Sequence, residues 1–97
     1  MGFRTQEEEG ALDTMSLDEY LIENREATYM LRAKSDSLRD AGILYGDLLV
    51  VDRSKSPRKS DIVIAVQDGE FIMRRFSELE DEGVQVEAVV TAVIRKF

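Results

Sequence analysis

Ala33-Lys34-Ser35-Asp36-Ser37-Leu38 runs directly into Arg39-Asp40-Ala41-Gly42-Ile43. An alternating strand leads into this stretch and a small polar turn breaks it, so the turn presents a hydroxyl, Ser37, beside a carboxylate, Asp36. Serine at such a junction usually bonds to its own backbone and needs no further role. What singles out Ser37 is the order of its surroundings. Upstream, Tyr29, Leu31 and Ala33 share one face while Thr28, Met30, Arg32 and Lys34 share the other, the pattern of a half-buried strand over 28–34. Downstream, Tyr45-Gly46-Asp47 reads as a turn feeding Leu48 to Val51. That run is continuously apolar, as is Ile62 to Val66, and both fit strands buried on two faces.

Further out, Gln67-Asp68-Gly69-Glu70 joins two strand-like runs through Asp-Gly, the signal for a tight hairpin with positive φ. The strand that follows, Phe71 to Phe76, carries Arg74 and Arg75 side by side, so one of them faces inward or into a cleft. Glu78 to Gly83 is an acidic turn, and Val84 to Lys96 is a β-branched run long enough for one strand or two bent pieces. At the other end, Ser16-Leu17-Asp18-Glu19 is a capping box, and Leu17, Tyr20 and Leu21 fall on one helical face. This predicts a helix of about two turns ending near Asn24, packed over an end of the sheet. Residues 1–15 have no sustained period and read as a mobile arm before a domain over 16–97. The expected fold is mainly β, a bent antiparallel sheet or partial barrel of five or six strands with one short N-terminal helix.

Composition narrows the function. The 97 residues make one small domain whose modest core gains from burial against a second copy. Thirteen basic against 20 acidic residues leave a net charge of −7, which argues against direct nucleic-acid binding. The cluster Arg53, Lys55, Arg58 and Lys59 reads as a solvated loop, and Glu7-Glu8-Glu9 as a solubilising run. There is no cysteine and no histidine, so a disulfide, a thiolate nucleophile and a Ser-His-Asp triad are all excluded within the chain. No cofactor or metal is expected. Asp47, Asp52, Asp61 and Asp68 are spread over turns, and turn chemistry explains them better than coordination. No run reaches the length of a membrane span and no secretory leader is visible, so a cytoplasmic protein without membrane contact is expected. A serine nucleophile without histidine needs another base, and a lysine with a lowered pKa can serve.

Five blocks taken in order, Ser35-Asp36-Ser37-Leu38, Asp40-Ala41-Gly42-Ile43, Gly46 to Asp52, Asp61 to Ala65 and Asp68-Gly69-Glu70-Phe71, resemble the UmuD/LexA family of self-cleaving Ser-Lys peptidases, more on its UmuD side. Ala27-Thr28-Tyr29 and the helix at Leu17 to Ile22 fit the same likeness. It covers Gly2 to about Phe76 and resumes loosely over Val86 to Phe97. The family cleaves itself just before a glycine like Gly2, so the chain is similar to a processed form with Met1 supplied as a start. The resemblance implies a fold of the LexA/signal-peptidase type and places Ser37 at the nucleophile position. It also implies a homodimer that joins a Y-family translesion DNA polymerase, and a link to the RecA filament in the SOS response to DNA damage.

The chain departs from the family at telling places. Arg74 stands at the position of the family's general-base lysine, and arginine keeps its proton at physiological pH. Arg74 can still bring a positive charge to Ser37 or Asp36. Ser35 replaces the usual glycine before Asp36, and Leu38 the usual methionine. A segment that the family carries between the lysine strand and the last strand is missing. The expected function is therefore a UmuD-like accessory subunit with weak or lost self-cleavage. The alternatives are an active Ser-dependent self-peptidase using another base, such as Lys34, and the C-terminal dimerisation domain of a LexA-like repressor. The Val86 to Ile94 run reads as core first and as an interface strand second.

Overall fold

A computed structural model describes residues 12–79 and 84–97. The expected arm at Gly2 and Glu7 to Glu9, and the end of the acidic turn at 80–83, lie outside the described residues. Five antiparallel strands form one unclosed sheet. They are β1 (Thr28–Arg32), β2 (Leu48–Asp52), β3 (Ile62–Gln67), β4 (Glu70–Arg75) and β5 (Gln85–Ile94), in the order β1-β2-β5-β3-β4. This is the mainly β, bent and open sheet that the alternation predicts.

Each strand follows from its local pattern. In β1, Tyr29 and Leu31 are half-buried and Met30 and Arg32 exposed, as the alternation requires. Its regular span stops at Arg32 rather than Lys34. The ladder nevertheless continues through Ala33, whose N–H donates to the Asp47 carbonyl and whose carbonyl accepts from Gly46 N–H, each at 2.8 Å. β2 and β3 are the most buried strands, with Val51 and Val63 wholly enclosed. The hairpin closes at Gln67↔Glu70 with Asp68 at φ 53° and Gly69 at φ 80°, so both central residues adopt the left-handed conformation.

The Val84 to Lys96 run becomes one strand bent twice, not two pieces. Thr91 is an extra residue between the pairs Val50↔Ala92 and Val51↔Val90, and its hydroxyl donates to the Val50 carbonyl at 3.2 Å. Glu87 is the second extra residue, between Ile64↔Ala88 and Ala65↔Val86. Such bulges bend a strand and increase its twist. They also set which residues enter the core: Ala88 and Val90 fall opposite Ile64 and Val51. β5 lies between β2 and β3, its first half, 85–89, pairing with β3 and its second half, 89–94, with β2. Ala88 and Val89 at its middle are buried, as the core reading of the run expects, and β1 and β4 are the outer strands.

The core sits on one face of the sheet, where Leu49, Val51, Ile64 and Ala88 pack beneath Ala33, Leu38 and Ile43. The segment after β1 therefore folds back as a lid over the sheet, fastened by Leu38 and Ile43.

The helix α1 (Leu17–Leu21) is shorter than expected, with five residues instead of two full turns, and the chain is extended at Ile22. Ser16 caps it as read, accepting from Glu19 N–H at 3.1 Å. It ends early because Asn24 is engaged elsewhere. The Asn24 side chain donates to Asp52 at 3.0 Å, and its carbonyl accepts from Ala27 N–H and the Thr28 hydroxyl. Leu17 and Tyr20 stay exposed, so little burial would support further turns. Leu21 and Ile22 lean over Met30, Val50 and Ile94, at the sheet face away from the core.

Candidate functional site

The turn that carries Ser37 is held from four directions. Leu38, the next residue, is only 6% exposed and anchors the turn in the core. Asp36 Oδ1 accepts from Tyr45 N–H at 2.9 Å, tying the start of the lid to its end. A single 3-10 turn, Arg39–Ala41, follows and is closed by Gly42 at φ 92°, a conformation that favours glycine. Asp40 then bridges to Arg75 of β4 at 2.9 Å. Ser37 itself is exposed, so a buried neighbour holds an accessible hydroxyl at the rim.

Ser37 and Arg74 line one cleft of about 420 Å³ between the lid and β4. Its apolar walls include Leu49, Ile64 and Phe71, and Lys34 and Ser35 also border it. The structure thus brings the two sequence-predicted site residues to one place. It does not join them: among the described residues no hydrogen bond links Arg74 to Ser37 or Asp36. Arg74 instead donates to its neighbour's carbonyl, Met73 O, at 3.0 Å. Ser37 Oγ accepts from Ser35 Oγ at 2.9 Å, and Ser37 N–H donates to Ser35 Oγ at 3.0 Å. Lys34, the lysine lining the cleft, is exposed.

Of the paired arginines, Arg75 is the half-buried one. It holds Asp40 and lies 3.9 Å from Glu78, while Arg74 reaches the cleft from an exposed position. Sequence reading predicted that the two would diverge but not that Arg75 fastens the Ser37 lid to β4. A carboxylate such as Asp40, three residues past the serine and 35 before Arg75, carries no local signal for that pairing.

Two buried carboxylates brace the sheet nearby. Asp47 is 2% exposed. Arg95 grips it at 2.7 and 2.6 Å, and Leu44 N–H donates at 2.8 Å. Hydrogen bonds from Arg95 and then Leu44 hold its carboxyl down to about 2, against the opposing pull of burial. For Asp52, burial pushes upward but bonds from Asn24 and Ser54 outweigh it, so the carboxyl lies below its ordinary range. Asp61 accepts from Arg58 N–H at 2.8 Å. All three act as turn and ion-pair acceptors. In the basic loop, Lys55 pairs with Glu23 at 2.7 Å, which raises its pKa, and Arg53 stacks 5.2 Å from the Tyr29 ring centre. Among the described residues no helix is long and apolar enough to cross a membrane.

Chemically, the cleft offers an exposed hydroxyl, apolar walls and the positive charge of Arg74. Comparison with known proteins gives the family. The model of the family described as Peptidase S24-like matches residues 1–89. Protein ImpA of Escherichia coli is 37% identical over 112 residues, covering 98% of this chain and 77% of ImpA. Protein SamA of Salmonella typhimurium strain LT2 is 36% identical over 99 residues, covering 87% of this chain and 71% of SamA. The LexA repressor of Clostridium kluyveri is 40% identical over 60 residues, 62% of this chain and 30% of the repressor. A match to family, fold and serial blocks at once leaves one assignment: the chain belongs to the S24-like peptidases of the UmuD/LexA family.

Proposed function

We propose that this chain is a UmuD-like accessory subunit of the SOS response to DNA damage, a cytoplasmic homodimer that binds a Y-family translesion polymerase and the RecA filament. Its self-cleaving activity is weak or lost. The observation that carries this reading is Arg74 in the cleft of Ser37. A guanidinium holds its proton and cannot take one from a serine hydroxyl. The lid and the strands that line the cleft are present, which supports a scaffold for binding. ImpA and SamA, which the chain covers over 77% and 71% of their length, are not named as repressors, whereas it covers only 30% and 50% of the LexA repressors of Clostridium kluyveri and Clostridium novyi. That favours the accessory subunit over a repressor fragment.

The test is a cleavage assay with a family-like arm restored before Gly2, comparing the chain as it stands, Arg74→Lys and Ser37→Ala. Cleavage only in Arg74→Lys supports the reading. Cleavage in the unmodified chain that Ser37→Ala abolishes overturns it in favour of an active peptidase. The binding half is tested separately, by sedimentation of the chain alone and with a purified Y-family polymerase. A monomer that never co-sediments would overturn that half.

A further inference from the structure

We infer that Ser35 is a positioning residue for Ser37: its hydroxyl holds the Ser37 side chain along the turn and restrains it from reaching across the cleft toward β4. The inference rests on the reading of Ser37 as the nucleophile position.

The two serines form a closed pair. Ser37 N–H donates to Ser35 Oγ at 3.0 Å, the ordinary bond of a serine turn. This bond fixes the Ser35 side chain, and with it the position of Ser35 Oγ, 2.9 Å from Ser37 Oγ. A hydroxyl has one proton and two lone pairs. One hydrogen-bonding site of Ser37 Oγ is therefore engaged before any substrate arrives. Among the described residues no other side chain bonds to Ser37 Oγ. The carboxylate between the serines is turned to the lid, with Asp36 Oδ1 accepting from Tyr45 N–H at 2.9 Å and lying 4.0 Å from Arg39. Arg74 is bonded to the Met73 carbonyl. Leu38 is buried and holds the backbone on the far side. The backbone of Ser37 is thus set by the lid, and its side-chain direction by Ser35.

Two effects of this bond oppose each other. Fixing the rotamer helps an attack if the held direction is the reactive one, whereas occupying a hydrogen-bonding site and pointing Oγ along its own turn hinders it. The hindrance wins here, because Oγ is bonded to Ser35 and, among the described residues, to no group of β4, the strand where the family places its base. Ser35 and Arg74 border the same cleft, from the lid and from β4.

The experiment uses the whole chain. Side-chain Hα–Hβ couplings of Ser37 are measured by NMR in the chain as it stands, in Ser35→Ala and in Ser35→Thr. Couplings of a single Ser37 rotamer are expected in the first and third, and rotamer-averaged couplings in Ser35→Ala. Equal couplings in all three, or Ser35→Thr behaving as Ser35→Ala, would overturn the inference. Ser35 is exposed and neither replacement removes a core group, so folding is not at stake. In the arm-restored chain, adding Ser35→Ala to Arg74→Lys is expected to raise the cleavage rate about three- to fivefold, the scale of one net hydrogen bond. A slower double variant would overturn the restraining role even with averaged couplings. If Arg74→Lys alone does not cleave, the couplings decide by themselves. Cleavage by the unmodified chain would sink the proposed function and leave the coupling result standing, so the two failures are separable.

Discussion

Arg95 and Asp47 stand 48 residues apart in sequence and meet in a two-pronged ion pair, Nε to Oδ1 at 2.7 Å and Nη2 to Oδ2 at 2.6 Å. The same Nη2 also donates to the Gly42 carbonyl at 2.9 Å. One side chain after the end of β5 therefore secures both the turn into β2 and the end of the Ser37 lid. Arg95→Ala leaves a buried carboxylate short of its partner, the costly way to break such a pair. It should lower the melting temperature clearly more than Arg25→Ala, which breaks the exposed pair with Asp18. Equal melting temperatures for the two variants would contradict this role.

The same pair predicts a pH dependence. The Asp47 carboxyl is depressed from its ordinary 3.8 to about 2 in the folded chain. A depressed carboxylate contributes stability that is fully present above its unfolded pKa and is lost as pH falls through its folded pKa. The window is thus from about 3.8 down to about 2. Acid titration of stability should be steeper there in the chain as it stands than in Asp47→Asn, and indistinguishable slopes would contradict the assignment.

Arg74 is exposed and among the described residues bonds only to the Met73 carbonyl. Arg74→Lys should therefore leave the melting temperature unchanged, as surface replacements away from packed features usually do. Arg75→Ala should lower it by releasing Asp40 and the lid. A large loss in Arg74→Lys would mean that this arginine supports the fold, and the cleavage comparison would lose its meaning.

Gly69 sits at φ 80° in the hairpin between β3 and β4. A Cβ there meets no atom within 4 Å, so the cost of Gly69→Ala is conformational and not steric contact. It should destabilise by about 1 kcal/mol in urea unfolding. No change would argue that the turn has an alternative geometry.

Leu49 is 2% exposed and packs in the core directly beneath the lid. Leu49→Ala should cost about 3 kcal/mol, a large share of the roughly 5–15 kcal/mol typical of a domain. A loss well below this, read from urea denaturation, would mean that the lid collapses to fill the space.

Much of this protein was legible without its structure. The Asp68-Gly69 hairpin, the Ser16 cap, the alternation of Tyr29, Leu31 and Ala33, and the apolar runs of β2 and β3 are signals carried within a few residues. They are set by backbone sterics and by side-chain period, so they survive into the folded chain. The serial blocks around Ser37 and Arg74 likewise carried the family. What only the tertiary structure decided depends on partners far apart in the chain. β5 is inserted between β2 and β3, and two extra residues, Thr91 and Glu87, choose which of its side chains enter the core. Asn24 stops the helix because Asp52 claims its side chain. Arg75 fastens the lid while Arg74 faces the cleft, and Ser35 turns out to bond the hydroxyl of Ser37. Each of these is a competition between groups that local pattern cannot rank, because burial and hydrogen-bond geometry exist only once the sheet has closed over its core.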